Sequence, residues 1–380
     1  MQQAMQQQAK AVARPFVAGT RQLDRSGFDS GSFTLSTSTQ DLKTYEVDPN
    51  GFLSGMWLLV EATASGNSAT VAFKEDAPFS VIDTYTLSDV NNKPLIGPVG
   101  GYDLYLINKY GGYSFAEDAR QNLGSYVATT GSGGTGGTFS FCLRIPVEIV
   151  RRDALGSLLN KSAAATFDQA IRIAPSTAVY STAPTAQPSV RVRNVVLGWM
   201  DPPDTDVKGN PVAQEPPASG VTQYWHRSTY GVLASGQHSN ERLNGIDALV
   251  RNMLFVLRDN SDGTRATAEA NWPDPFDLAF ETGYIIRSRP RIVWRHAIVD
   301  AYGYVNAAET AGGRDKAVYP VWFNQDAGPK PGSETRFGYL PVSAATTLAW
   351  TGSLGAASNL TVLVNKVVPV GGDIVAIAGR

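Results

Sequence analysis

The amino-acid sequence predicts an all-β protein made of two antiparallel β-sandwiches, with a few short helices. Three observations lead there: short stretches alternating apolar with polar residues between turn sequences, a proline-rich break at 202–220, and a faint repeat on either side of that break. Alternation puts successive side chains on opposite faces of a strand, and many short strands parted by turns form a sandwich or barrel.

The first two dozen residues stand apart. MQQAMQQQAKAVARPFVAGTRQ is rich in Gln and Ala, and the region sets Lys10, Arg14, Arg21 and Arg25 against Asp24. Met1, Met5, Val12 and Phe16 recur near helical spacing, and Pro15 stops or kinks a helix there. Residues 1–26 therefore read as a basic amphipathic or disordered arm, a frayed terminus being the plainer alternative. From Gly31 the texture changes to strands. Phe139-Ser140-Phe141-Cys142-Leu143-Arg144-Ile145 alternates, Val190, Val192 and Val195 do so loosely, and Leu254–Leu257 and Leu360–Val364 are apolar runs of the same kind. Turn chemistry lies between them at 89–94, in the glycine cluster 131–137, and at 259–263. The segments 102–108 and 292–299 suit a helix or a strand equally, and Arg152 to Asn160 is a third short helix candidate.

The stretch 202–220 is rich in proline and has no apolar period, so it is a linker or a long surface loop and not a central strand. It divides the chain into 27–201 and 221–380. Before it, Asn50-Gly51 leads into MWLLVE, then Phe79 to Asp89, then the Tyr102 segment ending Gly111-Gly112-Tyr113. After it, Asn244-Gly245 leads into MLFVLRD, then Phe276 to Ser288, then the Ile292 segment ending Tyr302-Gly303-Tyr304. Order and spacing are similar though identity is low, and beside the linker this suggests two copies of one sandwich.

Composition narrows the function. At 380 residues, two domains are expected. Charged residues make up 17% against roughly 25% in ordinary soluble domains, which fits a surface largely covered by neighbours. A formal net charge of −2 does not favour nucleic-acid wrapping. Cys142 is the only cysteine, which excludes an intrachain disulfide and a cysteine metal site; its apolar run predicts a buried, inert thiol. No apolar run approaches the ~20 residues of a spanning helix. The N-terminus lacks a signal-peptide core, so synthesis in a cytoplasm without secretion is expected.

No active site assembles. Gly131, Gly133 and Gly136 satisfy G-x-G-x-x-G, but TFSFCLRI follows them as a strand where a dinucleotide site needs a helix. His226, His238 and His296 are scattered without the spacing of a metal pair. Asp201, Asp204 and Asp206 are a carboxylate cluster that reads as solvated surface, and Asp259 to Gly263 lacks the further ligands of an EF-hand. No catalytic residue, cofactor or metal is expected.

With these elements in order, the chain resembles the major capsid proteins of tectiviruses and, more remotely, the double jelly-roll lineage that includes adenovirus hexon. The arm MQQAMQQQAKAVAR, the early strand GFLSGMWLLVEAT, the block FSFCLRIPVEIVRRDALGSLLN with TFDQAIRIA, and NGIDALVRNMLFVLRDNSDG carry the resemblance. The long stretch 202–220 departs from the family. The resemblance implies two eight-stranded jelly rolls standing side by side, three subunits forming a pseudo-hexagonal capsomer, and an icosahedral virion with an internal membrane. It implies as partners further copies of the chain, neighbouring capsomers, minor capsid or vertex proteins and the inner membrane, with no specific nucleic acid. Lys10, Arg14, Arg21 and Arg25 would then meet anionic head groups or adjacent subunits, each basic residue contributing about 1 kcal/mol near such a surface. The main alternative is a carbohydrate- or receptor-binding sandwich, spike- or lectin-like, in which Tyr224, Trp225 and Trp272 stack on sugars. A hydrolase on a jelly-roll scaffold and a single jelly roll with an appendage are the others.

Overall fold

The structure is a computed structural model that describes residues 15–65, 70–113, 120, 126–205, 208–209, 221–265, 268–302, 315–323 and 338–369. Two successive sets of eight strands have the same topology. In the first, Gln22–Thr34, Ser189–Trp199, Phe52–Thr63 and Phe139–Pro146 lie side by side in that order; the opposing sheet runs Gln40–Asp41, Asp168–Ile173, Ile82–Ser88 and Pro94–Val99. In the second, the orders are Val221–Leu233, Ser358–Pro369, Ala248–Asp259, Val318–Trp322, and Gly236–Arg242, Leu348–Leu354, Phe276–Phe280, Gly283–Arg289. Numbered within its own half, each sandwich reads 1-8-3-6 over 2-7-4-5, the order of a jelly roll. The chain is thus an all-β double jelly roll, and each half repeats the other strand for strand.

The two ambiguous segments are helices, Gly101–Tyr110 and Arg291–Tyr302, each placed after the fifth strand of its half. Asp103 starts the first: its Oδ2 accepts the Gly100 N–H at 3.0 Å, and an acid in the first turn also suits the helix dipole. Gly112, at φ 84°, turns the chain away at the other end. Gly101 is needed because a Cβ there would lie 1.9 Å from the carbonyl oxygen of Phe79.

Three expectations need correction. Arg152 to Asn160 is not a helix: Arg151–Asp153 makes one 3₁₀ turn, Ala154 adopts a left-handed conformation at φ 56°, and Leu158–Leu159 pairs with Leu53 and Phe52. Sheet pairing wins over local helix preference there. Cys142 is not a core residue. Period two sends Phe139, Phe141, Leu143 and Ile145 inward, which leaves Cys142 half-buried on the opposite face. Arg21 and Arg25 are not in a free arm either, since the first strand begins at Gln22 and Arg25 donates to the Asp48 carbonyl. Before that strand, Phe16–Gly19 forms a short helical turn with Phe16 buried against Ala154 and Trp199. Lys10, Arg14 and almost all of 202–220 lie outside the described residues.

The halves share a core. In the third strand of the second half, Met253, Phe255 and Leu257 face the second sandwich's interior, while Leu254 and Val256 belong to the core of the first. The neighbouring strands divide in the same way: Leu363 and Val318 join the first core, and Val362, Val364 and Tyr319 the second. One sheet is therefore buried on both faces. A parallel bridge between Ile96 and Trp225 also ties the fifth strand of the first half to the first strand of the second.

Leu254→Ala should destabilise the chain by about 3 kcal/mol through the cavity left at the shared core. Trp57→Ala, at the equivalent position on the exposed side of the first sandwich, should cost about 1 kcal/mol or less. Urea midpoints of the two purified variants check the contrast.

Candidate functional site

The chemistry-bearing side chains of this fold gather at the seam between the two sandwiches. On the 101–110 helix, Tyr102, Tyr105 and Lys109 are spaced at i, i+3 and i+7, which puts them on one face. That face meets Asp315, which lies in the turn before Val318–Trp322. The Asp315 carboxylate, fully buried, accepts the Tyr102 hydroxyl at 3.3 Å and the Tyr105 hydroxyl at 3.2 Å, and it pairs with Lys109 Nζ. Arg120 Nη2 completes the group at 2.7 Å. One carboxylate of the second half is held by four groups of the first.

Beside it, Arg265 reaches into the first half. Its Nε donates to Asp76 Oδ1 at 2.9 Å, its Nη1 to the Lys316 carbonyl at 3.0 Å, and its guanidinium lies 4.2 Å from the Tyr102 ring centre. Arg258 Nη2 binds the other Asp76 oxygen at 2.7 Å. Burial pushes the Asp76 carboxyl up, but the Arg265 and Arg258 guanidiniums outweigh it and hold the group below its ordinary value.

A third group spans the sheet buried on both faces. Gln223 accepts the Tyr113 hydroxyl and the Asn365 amide, both at 2.9 Å, and donates to the carbonyls of Val147 and Glu148, both at 3.0 Å. Arg251 Nη1 donates to the Gly111 carbonyl at 3.0 Å. Glu148 accepts Trp199 Nε1 at 2.6 Å and the Ser157 hydroxyl at 2.9 Å. Burial raises the Glu148 carboxyl against the pull of those donors and of Arg144. The bonds from Gln223 and Arg251 to the first half hold the two halves in register.

The sites weighed from sequence do not converge. Among the described residues no three His, Cys, Asp or Glu side chains come together as metal ligands. His226, His238 and His296 lie on Val221–Leu233, Gly236–Arg242 and Arg291–Tyr302. Asp201 pairs with Lys161, Asp204 is exposed, and Asp206 lies outside the described residues. The glycine cluster leads into Phe139–Pro146, a strand. Trp225 and Trp272 are 1% and 3% exposed, with Trp272 stacked on Tyr319 at 3.9 Å between ring centres. Tyr224 lies beneath Lys93 Nζ, 4.1 Å from its ring centre. The aromatic residues proposed for sugar stacking are thus core or covered. Burial pushes the Cys142 thiol up to about 11, which makes it a poor nucleophile. Among the described residues no helix is long and apolar enough to cross a membrane.

Sequence reasoning gave none of the seam residues a role as a site. Their signals were present: a Tyr-Tyr-Lys face on a mostly apolar segment, and polar residues, Arg251 with Asn252 and Asn365 with Lys366, inside the apolar runs ALVRNMLFVL and LTVLVNKVV.

Asp76 carries the pH dependence that follows from this geometry. Its folded value is depressed, so its contribution is full above the ordinary aspartate value of 3.8 and is lost as the pH falls through the folded value. Asp76→Asn should therefore lower stability by about 2 kcal/mol at neutral pH, and the difference from the parent should fade in acid. Urea titrations at both pH values check the sign.

No protein-family model matches the sequence, and no curated protein is significantly similar to it. Solved structures do share the fold. The STIV MCP superposes with a TM-score of 0.60 at 13% identity, covering 92% of this chain and 96% of that one. The PBCV-1 virus capsid gives 0.55 at 9% identity, with 92% and 93% covered. The major capsid protein P2 of bacteriophage PM2 gives 0.53 at 7% identity, with 92% and 98% covered. Coverage of 92% of the chain takes in both sandwiches.

Proposed function

We propose that the chain is the major capsid protein of an icosahedral virus with an internal membrane, working as a homotrimeric, pseudo-hexagonal capsomer without catalytic turnover. The observation that carries this reading is the near-complete two-way coverage of coat proteins by a double jelly roll whose halves are locked into one body. A coat subunit delivers its function by packing and symmetry. The paired strand topology supplies two similar faces per chain, so three chains present six. A ring of this kind closes through heterologous contacts, and a surface low in charge suits interfaces depleted of charge at their centres.

In this reading the partners are two further copies, neighbouring capsomers and minor proteins at the vertices, and the protein resides in the virion after synthesis in the host cytoplasm. The N-terminal segment remains the candidate membrane-facing arm. Phe16, packed against Trp199, anchors its root, and Lys10 and Arg14 precede that anchor. Arg21 and Arg25 lie at the root and beyond it, nearer the sandwich than the membrane. A glycan-binding role is not favoured, because Trp225 and Trp272 are buried.

Light scattering on a sizing column tests the oligomer. A species near three times the 40.6 kDa chain is expected, and a clean monomer would overturn the capsomer reading. Removing residues 1–14 should leave the folded trimer intact and abolish assembly of particles around their membrane. Normal membrane-containing particles from that variant would refute the role given to the arm.

A further inference from the structure

We propose that His238 is a proton-controlled latch on the corner where the chain crosses between the two sheets of the second sandwich: its imidazolium holds the corner closed, and loss of the proton frees it. The device belongs to the single chain, whatever its oligomeric state.

The corner joins Val221–Leu233 of one sheet to Gly236–Arg242, the end strand of the facing one. Backbone pairing is interrupted on both sides of it. Against 358–369 the register breaks between Tyr230 and Val232, and against 348–354 it breaks between His238 and Glu241. Breaks of this kind bend a strand and leave the extra residue out of the ladder. Inside the second one Asn240 takes a left-handed conformation at φ 60°, and its N–H donates to Thr351 Oγ1 at 2.9 Å. None of residues 231–242 is buried. The backbone alone therefore holds this corner weakly, and a segment with little burial and few ladder bonds opens locally.

His238 supplies what the ladder lacks. Its Nε2 lies 2.8 Å from the Ala234 carbonyl oxygen in the turn, and its Nδ1 lies 3.0 Å from Glu241 Oε1 beyond the second break. The ring packs on Trp350, a residue of the second core, with 5.4 Å between ring centres. One side chain thus ties the turn, the irregular strand and the core together. Both ring nitrogens face acceptors. A neutral imidazole carries a single N–H and would turn a lone pair towards one of the two oxygens, whereas the imidazolium donates to both.

The charges around the ring favour the same form. On its own strand the other charged residues are Glu241 and Arg242, and Glu241 is the one in contact. The strand 348–354, LAWTGSL, and the turn Ala234-Ser235 bring no ionisable side chain. Burial pulls the imidazole down, but the Ala234 carbonyl and the Glu241 carboxylate outweigh it and hold the group above its ordinary value. A raised folded value means that the contribution is full below 6.5, the ordinary histidine value, and is lost as the pH rises through the folded value. The corner is closed in weak acid and loosens towards alkaline pH.

Two mass-spectrometric exchange measurements on the full chain test the latch. Exchange of the imidazole C2 hydrogen against pH should place His238 above 6.5. Amide exchange of 231–242, corrected for its intrinsic pH dependence, should show more opening near pH 9 than near pH 6. The rise should reach about tenfold for each unit by which the folded value exceeds the ordinary one, with the core strand 248–259 unchanged. His238→Gln should make opening of the corner independent of pH, and Glu241→Gln should lower the His238 value and shrink the pH effect. A His238 value at or below 6.5 overturns the proposal. So does a raised value with equal corrected opening at both pH values, and both results come from the unmutated chain even if a variant fails to fold.

Discussion

The structure depends on one constraint: a β-sheet buried on both faces. In the second half, the strand 248–259 sends Leu254 and Val256 to one core and Met253, Phe255 and Leu257 to the other. The halves therefore cannot part without opening apolar surface on both. Every polar group in that sheet must also find a partner inside the protein, because an unpaired one would lose its hydration without replacement. Gln223 and Arg251 do so with groups of the first half, Asn365 does so with Gln223, and Asp315 is surrounded by groups of the first half. Apolar burial supplies the cohesion of the seam, and the polar groups set its register. A slip of one residue would strand Gln223 and Asn365 together.

Much of the fold was legible in the sequence because the repeat survives where period two is cleanest. MWLLVE and MLFVLRD align the third strands of the two halves, and the segments after them align the fourth strands and the helices. The helices themselves were ambiguous for a physical reason. Every residue of 101–110 is buried, so no polar stripe with a period of 3.6 marks it as a helix. Arg152 to Asn160 misled in the opposite way: local composition favoured a helix, and pairing with Leu53 and Phe52 prevailed. Cys142 was misplaced by reading the apolar character of its run and not the parity of its position.

The seam was not legible as a site, because its meaning lies in partners far apart in sequence. Lys109 and Asp315 are unremarkable singly, and only the fold brings the ammonium and the carboxylate together. Buried polar residues inside apolar strands were the available signal. They indicate that something polar must face them, without saying what.

The covalent link between the sandwiches has a consequence for which chemistry each face can use. Groups on one chain come together without losing translational and rotational freedom, a loss of about 4–15 kcal/mol for separate molecules. The internal seam can therefore absorb the desolvation of Asp315, Lys109 and Arg120. A face that must first exist in water and find its mate by diffusion has no such margin, and buried charge there would weaken the encounter complex. The outer face around Trp57 and Val195 sets apolar groups beside half-exposed ion pairs, Arg193 with Glu61 and Arg191 with Asp29. Equivalent faces of the two sandwiches thus carry different chemistry, ionic where the chain itself holds them together and less so where one of them faces water.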